Sequence, residues 1–196
     1  MQYIDYFKDA VQRTGALGLG EHNFSFKTEH TYEAELQAWV LQNFRPRKED
    51  LFAKCNVACQ QILTRLHKET AIKGILTIGT VILGAEDCFC SANKFDENFI
   101  VAALKKGVDS LAGISYSHHA WITLDSQEIF DPTFPISYLM LRGQNIDDME
   151  DGVPTIFKRF TDFSGGMYYK PVLVGDSFYR IADKTRYALA LSETMI

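Results

Sequence analysis

The sequence predicts an α+β domain in which helices come first and an antiparallel sheet follows. Three observations predict it. Apolar residues recur at helical spacing through most of the first half, extended segments gather in the second, and turn residues rather than repeating strand–helix units separate those segments. At 196 residues with 46% apolar composition, the chain can bury a sizeable core as one domain spanning 1–196.

Ile4, Phe7 and Val11 recur at helical spacing, as do Tyr32, Leu36, Trp39 and Val40 in "TYEAELQAWVLQNF", which Arg45-Pro46 should terminate. The clearest helix lies in "KEDLFAKCNVACQQILTRLHKET". There Cys55, Ala58, Cys59, Ile62, Leu63 and Leu66 form one apolar stripe. "GILTIGTVILG", β-branched and bounded by glycines, reads as a buried strand. "NKFDENFIVAALKKG" reads as a helix with Asp96 and Glu97 near its start, Lys105 and Lys106 in its last turn and Gly107 as its stop. "ISYSHHAWITL", "QEIF", "MYYKPVLVG" and "SFYRIA" read as strands, and "GQNIDDMEDG" as an acidic solvated loop. There is no internal repeat and no low-complexity linker.

The formal charge of −5 and pI near 5.5 supply no basic field for phosphates, so nucleic acid is excluded as an expected partner. "MQYIDYFKDAVQRTG" carries Asp5 and Lys8 within an amphipathic pattern, unlike a signal peptide, and "ILTIGTVILG" is too short to span a bilayer. The expectation is a soluble, cytoplasmic protein with no membrane partner. Four cysteines, in "CNVAC" and "CFC", make no dense disulfide framework; the cytoplasmic reading favours free thiols.

"SYSHHAWITLDSQEIFDPTFP" has the pattern of a hairpin. If "LDSQ" is its turn, centred between Asp125 and Ser126, residues whose numbers sum to about 251 face each other, and His119 falls opposite Asp131 or Pro132. Pro132 cannot donate to the ladder, so Asp131 should end its strand with its carboxylate free to turn toward an imidazole. A nucleophile would complete such a pair. The best candidate is a cysteine at a helix start, where the dipole and a nearby imidazolium favour thiolate, and Cys55 fits.

The order of Cys55 in "KCNVACQQIL", then "GILTIGTVIL", then His119 in "HAW", then Asp131 in "DPT" resembles the transglutaminase-like branch of the papain-like cysteine hydrolases. The resemblance covers roughly Leu51 to Thr133. It implies a papain-like fold with the nucleophile helix packed on an antiparallel sheet, and a catalytic triad of Cys55, His119 and Asp131. The chain departs from the family pattern in several places. Ala53 replaces the glycine before the cysteine, Asn56 the usual tryptophan after it, and Cys59 a common alanine. Glu49 stands where papain-like members place an oxyanion-donating glutamine, which leaves backbone N–H groups at the helix start to serve the oxyanion.

Each residue also has a plainer reading. Cys55 and Cys59 can be small hydrophobes on a buried helix face, and Cys59, a turn deeper, suits packing better. Strand alternation lets only one of His118 and His119 face the site; His119 has the His-x-Trp spacing, and His118 is read as a solvent-facing or edge residue. Trp121 either covers the imidazole or is a core aromatic, and Asp131 before proline is commonly a turn residue. Cys88 and Cys90 offer soft ligands, yet Cys-x-Cys without a second paired motif lacks a usual zinc spacing, so no metal is expected. "GALGLGEH" lacks the strand and third glycine of a nucleotide fingerprint and reads as a loop.

The resulting expectation is a cysteine hydrolase or acyltransferase that acts on an amide or related acyl bond through a thioester and needs no cofactor. Its substrate would be a peptide, a protein or a small amide. The alternative is a catalytically inactive binding protein that keeps the same fold.

Overall fold

The computed structural model describes residues 2–27, 31–44, 51–52, 54–84, 86–89, 93–107, 116–146, 155–184 and 187–188. Helix α1 (Tyr3–Ala16) buries Tyr3, Phe7, Ala10 and Thr14. Its inner face is therefore centred one residue earlier than Ile4 and Val11 suggest. Helix α2 (Glu33–Asn43) buries Leu36 and Trp39. Arg45 and Pro46 fall outside the described residues. The Trp39 indole N–H donates to Glu69 at 3.0 Å and the Arg65 guanidinium lies 5.3 Å from the Trp39 ring, which ties α2 to the far end of α3 (Cys55–Glu69).

The whole apolar stripe of α3 is buried, as its spacing predicts. Asn56 and Val57 are buried too, so the first turns are enclosed on nearly every side. Next come β1 (Gly74–Leu83), β2 (Glu86–Asp87), β3 (Asn93–Lys94) and α4 (Glu97–Lys106). The Asp96 carboxylate caps α4 by accepting from the Phe99 N–H at 3.0 Å, and Gly107 stops it with φ at 81°. Strands β4 (Tyr116–Ser117), β5 (His119–Leu124) and β6 (Glu128–Asp131) lead to α5 (Phe134–Leu141), β7 (Ile156–Arg159), β8 (Met167–Val174) and α6 (Ser177–Ala182).

The protein is thus α+β. In the main sheet β1 pairs antiparallel with β2, β5 and β8, and β6 joins β5 to β7; β3 and β4 form a separate short parallel pair. Two cores flank the main sheet. Ala120, Ile122 and Leu124 of β5 join the α3 core, whereas Trp121 joins the core containing Tyr3, Phe7 and Ala10 of α1. Among the described residues no helix is long and apolar enough to cross a membrane.

Four readings need correction or completion. "SFYRIA" is helix α6, because burying the adjacent Phe178 and Tyr179 together with Ala182 requires helical rather than alternating phase. Helix α5 and strand β7 were not anticipated: Pro135 sits in the first turn of α5, where its missing N–H costs nothing. Of the acidic loop, only Gly143–Ile146 lies within the described residues.

The hairpin register is the fourth. Ile122 pairs with Phe130 and Thr123 with Ile129, so the numbers sum to 252 rather than 251. Three residues, Asp125, Ser126 and Gln127, form the loop, and Gln127 takes a left-handed φ of 65°. A three-residue loop closed by a left-handed residue shifts the pairing by one. Continuing the register puts Asp131 opposite Trp121. The carboxylate then reaches His119 diagonally along the same face.

Asp125 and Ser126 of this turn are buried. The Glu128 carboxylate accepts hydrogen bonds from the Thr31 and Ser126 hydroxyls and from the Tyr32 N–H, the last at 3.1 Å. Lys27 bridges to Asp125 at 2.9 Å. The segment after α1 is thereby fastened over the turn.

Candidate active site

Three elements converge at the start of β5. Cys55 is the first residue of α3, His119 the first of β5 and Asp131 the last of β6, and all three are buried. His119 Nε2 lies 2.6 Å from Asp131 Oδ2. That contact leaves Nδ1 as the ring nitrogen that can address the Cys55 thiol, which lies near enough for each group to shift the other's titration.

The electrostatics follow from this contact. Burial pushes the Cys55 thiol up, but the His119 charge, its hydrogen bond and the Ala120 N–H together outweigh burial and bring it below its ordinary value. Burial alone would depress His119; Asp131 and Cys55 instead raise it from 6.5 to about 10. Both shifts favour a thiolate–imidazolium pair. Cys59, one turn deeper, is different: its thiol donates to the Ala120 carbonyl at 3.4 Å, and burial pushes it well above the ordinary range. The nearby Asp131 and Cys55 charges add to that burial, so it packs as a neutral thiol.

Asp131 is held from both sides. Its Oδ1 accepts from the Thr133 N–H at 3.0 Å, the Thr133 hydroxyl at 3.3 Å and the Phe134 N–H at 3.0 Å. Its Oδ2 takes the Tyr169 hydroxyl at 2.8 Å beside the imidazole. The Asp-Pro-Thr turn and the orienting carboxylate are therefore one structure, for the same oxygen that organises the start of α5 also fixes the direction of the other.

Tyr169 is a member of this cluster that the sequence did not disclose. "MYYKPVLVG" places two tyrosines on opposite faces of a strand, and only the pairing of β8 with β1 shows which one reaches the carboxylate. Burial and the adjacent Asp131 charge push its hydroxyl well up, so it remains a neutral donor. Phe89 was missed as well. It lies in "CFC", noticed in the sequence only for its sulfurs, and it stacks on the His119 ring with centroids 4.6 Å apart and planes 16° apart. Of the two readings of Trp121, cover or core aromatic, the structure puts it in the core, with its ring 6.3 Å from that of His119.

His118 points away from this cluster and stacks on Phe95 at 5.2 Å rather than facing solvent. The first turn of α3 presents the N–H groups of Cys55 and Asn56, which a helix cannot satisfy internally. Glu49, Ala53 and Cys90 lie outside the described residues. Among the described residues, no three histidine, cysteine or acidic side chains gather as metal ligands would.

The arrangement can ionise a thiol, hold an imidazolium against a fixed carboxylate and offer N–H groups to a developing oxyanion. Comparison of the chain with protein-family models, with curated proteins and with solved structures gives no match, so the reading of this site rests on its geometry alone.

Proposed function

We propose that the chain is a cysteine hydrolase or acyltransferase of papain-like, transglutaminase-like fold. The observation that carries the reading is a buried imidazole held 2.6 Å from a carboxylate and close enough to a thiol at a helix start to lower its titration. The Cys55 thiolate attacks the acyl carbon of an amide, forming the C–S bond, and the oxyanion is met by N–H groups at the start of α3. The C–N bond then breaks as His119 gives its proton to the leaving amine. Water attacks the thioester while His119 accepts its proton, which releases the acid and restores the thiol; an amine in place of water gives transfer. The substrate is a peptide, a protein or a small amide, and buried free thiols suit a cytoplasmic setting.

A second reading is favoured by burial: Cys55 is 8% exposed and His119 2%, beneath Phe89. Under it the chain keeps the fold as a binding protein without turnover. Iodoacetamide kinetics across pH, with mass spectrometry to locate the adduct, separate the two. The enzyme reading expects rapid alkylation at Cys55 near neutral pH, together with a thioester trapped from an activated acyl ester. An inert Cys55 and no thioester would leave only the binding reading.

A further inference from the structure

A cavity of about 420 Å³ opens beside α1 on the face of the sheet that carries Trp121 and Tyr169. Its walls include the rings of Tyr6, Phe160, Phe163 and Tyr168, and the amides of Gln2 and Gln127 stand among them. Among the described residues its lining carries no charged side chain. Lys158 and Lys170 stand 6.0 and 5.6 Å from the Phe163 and Tyr6 rings, each already set over an aromatic face. Phe160 and Phe163 are only half-buried and Tyr168 is 41% exposed, an unusual display of aromatic surface around an opening of this size.

Three of the lining residues also lead to the triad. Tyr169 forms part of the wall and donates its hydroxyl to Asp131. Tyr3 accepts the Trp121 indole N–H at 2.9 Å, and Trp121 stacks on His119. Gln127 is the left-handed residue that sets the β5–β6 register.

We propose that this cavity is an effector site for a neutral, planar aromatic ligand, and that occupancy is felt at the triad through Tyr169. The rings supply stacking surface and the amides a donor or acceptor at the ligand edge. An anionic ligand would be desolvated against walls whose own side chains carry no charge, with Lys158 and Lys170 only at the rim. A ring pressed on Tyr169 restrains the hydroxyl that Asp131 accepts, and so alters how that carboxylate holds His119. The coupling, though not the binding, rests on the catalytic reading above.

Indole is the probe, since it has no acyl bond for Cys55 to attack, and indole-3-carboxylate is its anionic counterpart. By calorimetry on Cys55→Ala, indole should bind with a dissociation constant of about 1 mM or tighter. The carboxylate should bind at least tenfold more weakly. Ile4→Trp, which fills the cavity from α1, should weaken indole at least tenfold, and Thr161→Trp on an exposed position serves the same end should the first variant not fold. In the wild type, saturating indole should change the Cys55 alkylation rate at least twofold; Tyr169→Phe should still bind indole but show no such change. Absent or filling-insensitive binding to Cys55→Ala, or a carboxylate that binds as well as indole, overturns the site whatever the chain's activity. Binding with an unchanged alkylation rate, or an equal change in Tyr169→Phe, overturns the coupling.

Discussion

The two faces of the main sheet are built by different forces. Toward α3, the core is carried by Ile62, Leu66, Ile78, Ile122 and Leu124, whose side chains offer only contact and burial. Toward α1, aromatic rings alternate with hydroxyls in a chain of hydrogen bonds: Trp121 to Tyr3, Tyr3 to Thr123 at 2.5 Å, Thr123 to Thr77 at 2.6 Å. Burial keeps the Tyr3 hydroxyl far above its usual range, so it serves as a neutral link. The His119–Asp131–Tyr169 cluster belongs with this second kind of packing, while Cys55 arrives from the helix of the first. An apolar face tolerates small shifts in side-chain position. A hydrogen-bonded one fixes angles, as an imidazole that must address two partners requires.

Substitutions should matter most where the two faces meet. Cys55→Ala should abolish thioester formation, a loss of about 10⁴-fold or more by single-turnover kinetics, with little change in thermal unfolding because the volume change is small. His119→Ala should be nearly as damaging. His118→Ala and Cys59→Ala should each stay within a few-fold of wild type, since one ring faces Phe95 and the other thiol faces a carbonyl. A Cys59→Ala variant that lost turnover while Cys55→Ala kept it would move the nucleophile one turn along α3.

On the apolar face, Ile62→Ala should cost about 3 kcal/mol in urea unfolding, the usual price of a cavity in a closed core. The folded fraction should still alkylate at the wild-type rate. If it does not, the faces are less independent than their packing suggests.

Asp131→Asn tests the other face and should slow acylation about 100-fold, less than in a serine triad because a thiol depends less on its base. An amide cannot accept on both sides as this carboxylate does. His119 then titrates lower, stabilises the thiolate less, and the alkylation profile of Cys55 moves to higher pH. Stability moves in a linked way. Because His119 is raised from 6.5 to about 10 on folding, its pairing contributes fully below pH 6.5, and the contribution is lost as pH rises through about 10. Wild type should therefore lose its stability advantage over the variant across that window in pH-dependent denaturation. Smallest of all, Tyr3→Phe should cost about 1 kcal/mol by leaving the Trp121 N–H without its acceptor.

The sequence made the apolar face easier to read than the polar one. A stripe such as Cys55 to Leu66 declares its helix and its inner side by spacing alone, and "GILTIGTVIL" declares a buried strand by its β-branched run. His119 and Asp131 were legible because a hairpin brings them together locally, even though a left-handed Gln127 displaced the register by one. Tyr169 was not legible. Its partner lies 38 residues away, and the contact exists only because β8 lies along β1. Helix α6 was misread because aromatic residues suit strands equally well, and its phase becomes visible only when Phe178 and Tyr179 are seen buried together.

Asp131 has a consequence beyond the chemistry of the site. The carboxylate that orients His119 also accepts the N–H groups of Thr133 and Phe134, where α5 begins. The two duties cannot drift apart. Exchange of Cys55 for alanine or serine would leave the fold in place, whereas folding holds position 131 to an acidic side chain. Sequence drift should thus fall unequally on the cluster, with position 55 free to change and the carboxylate at 131 kept.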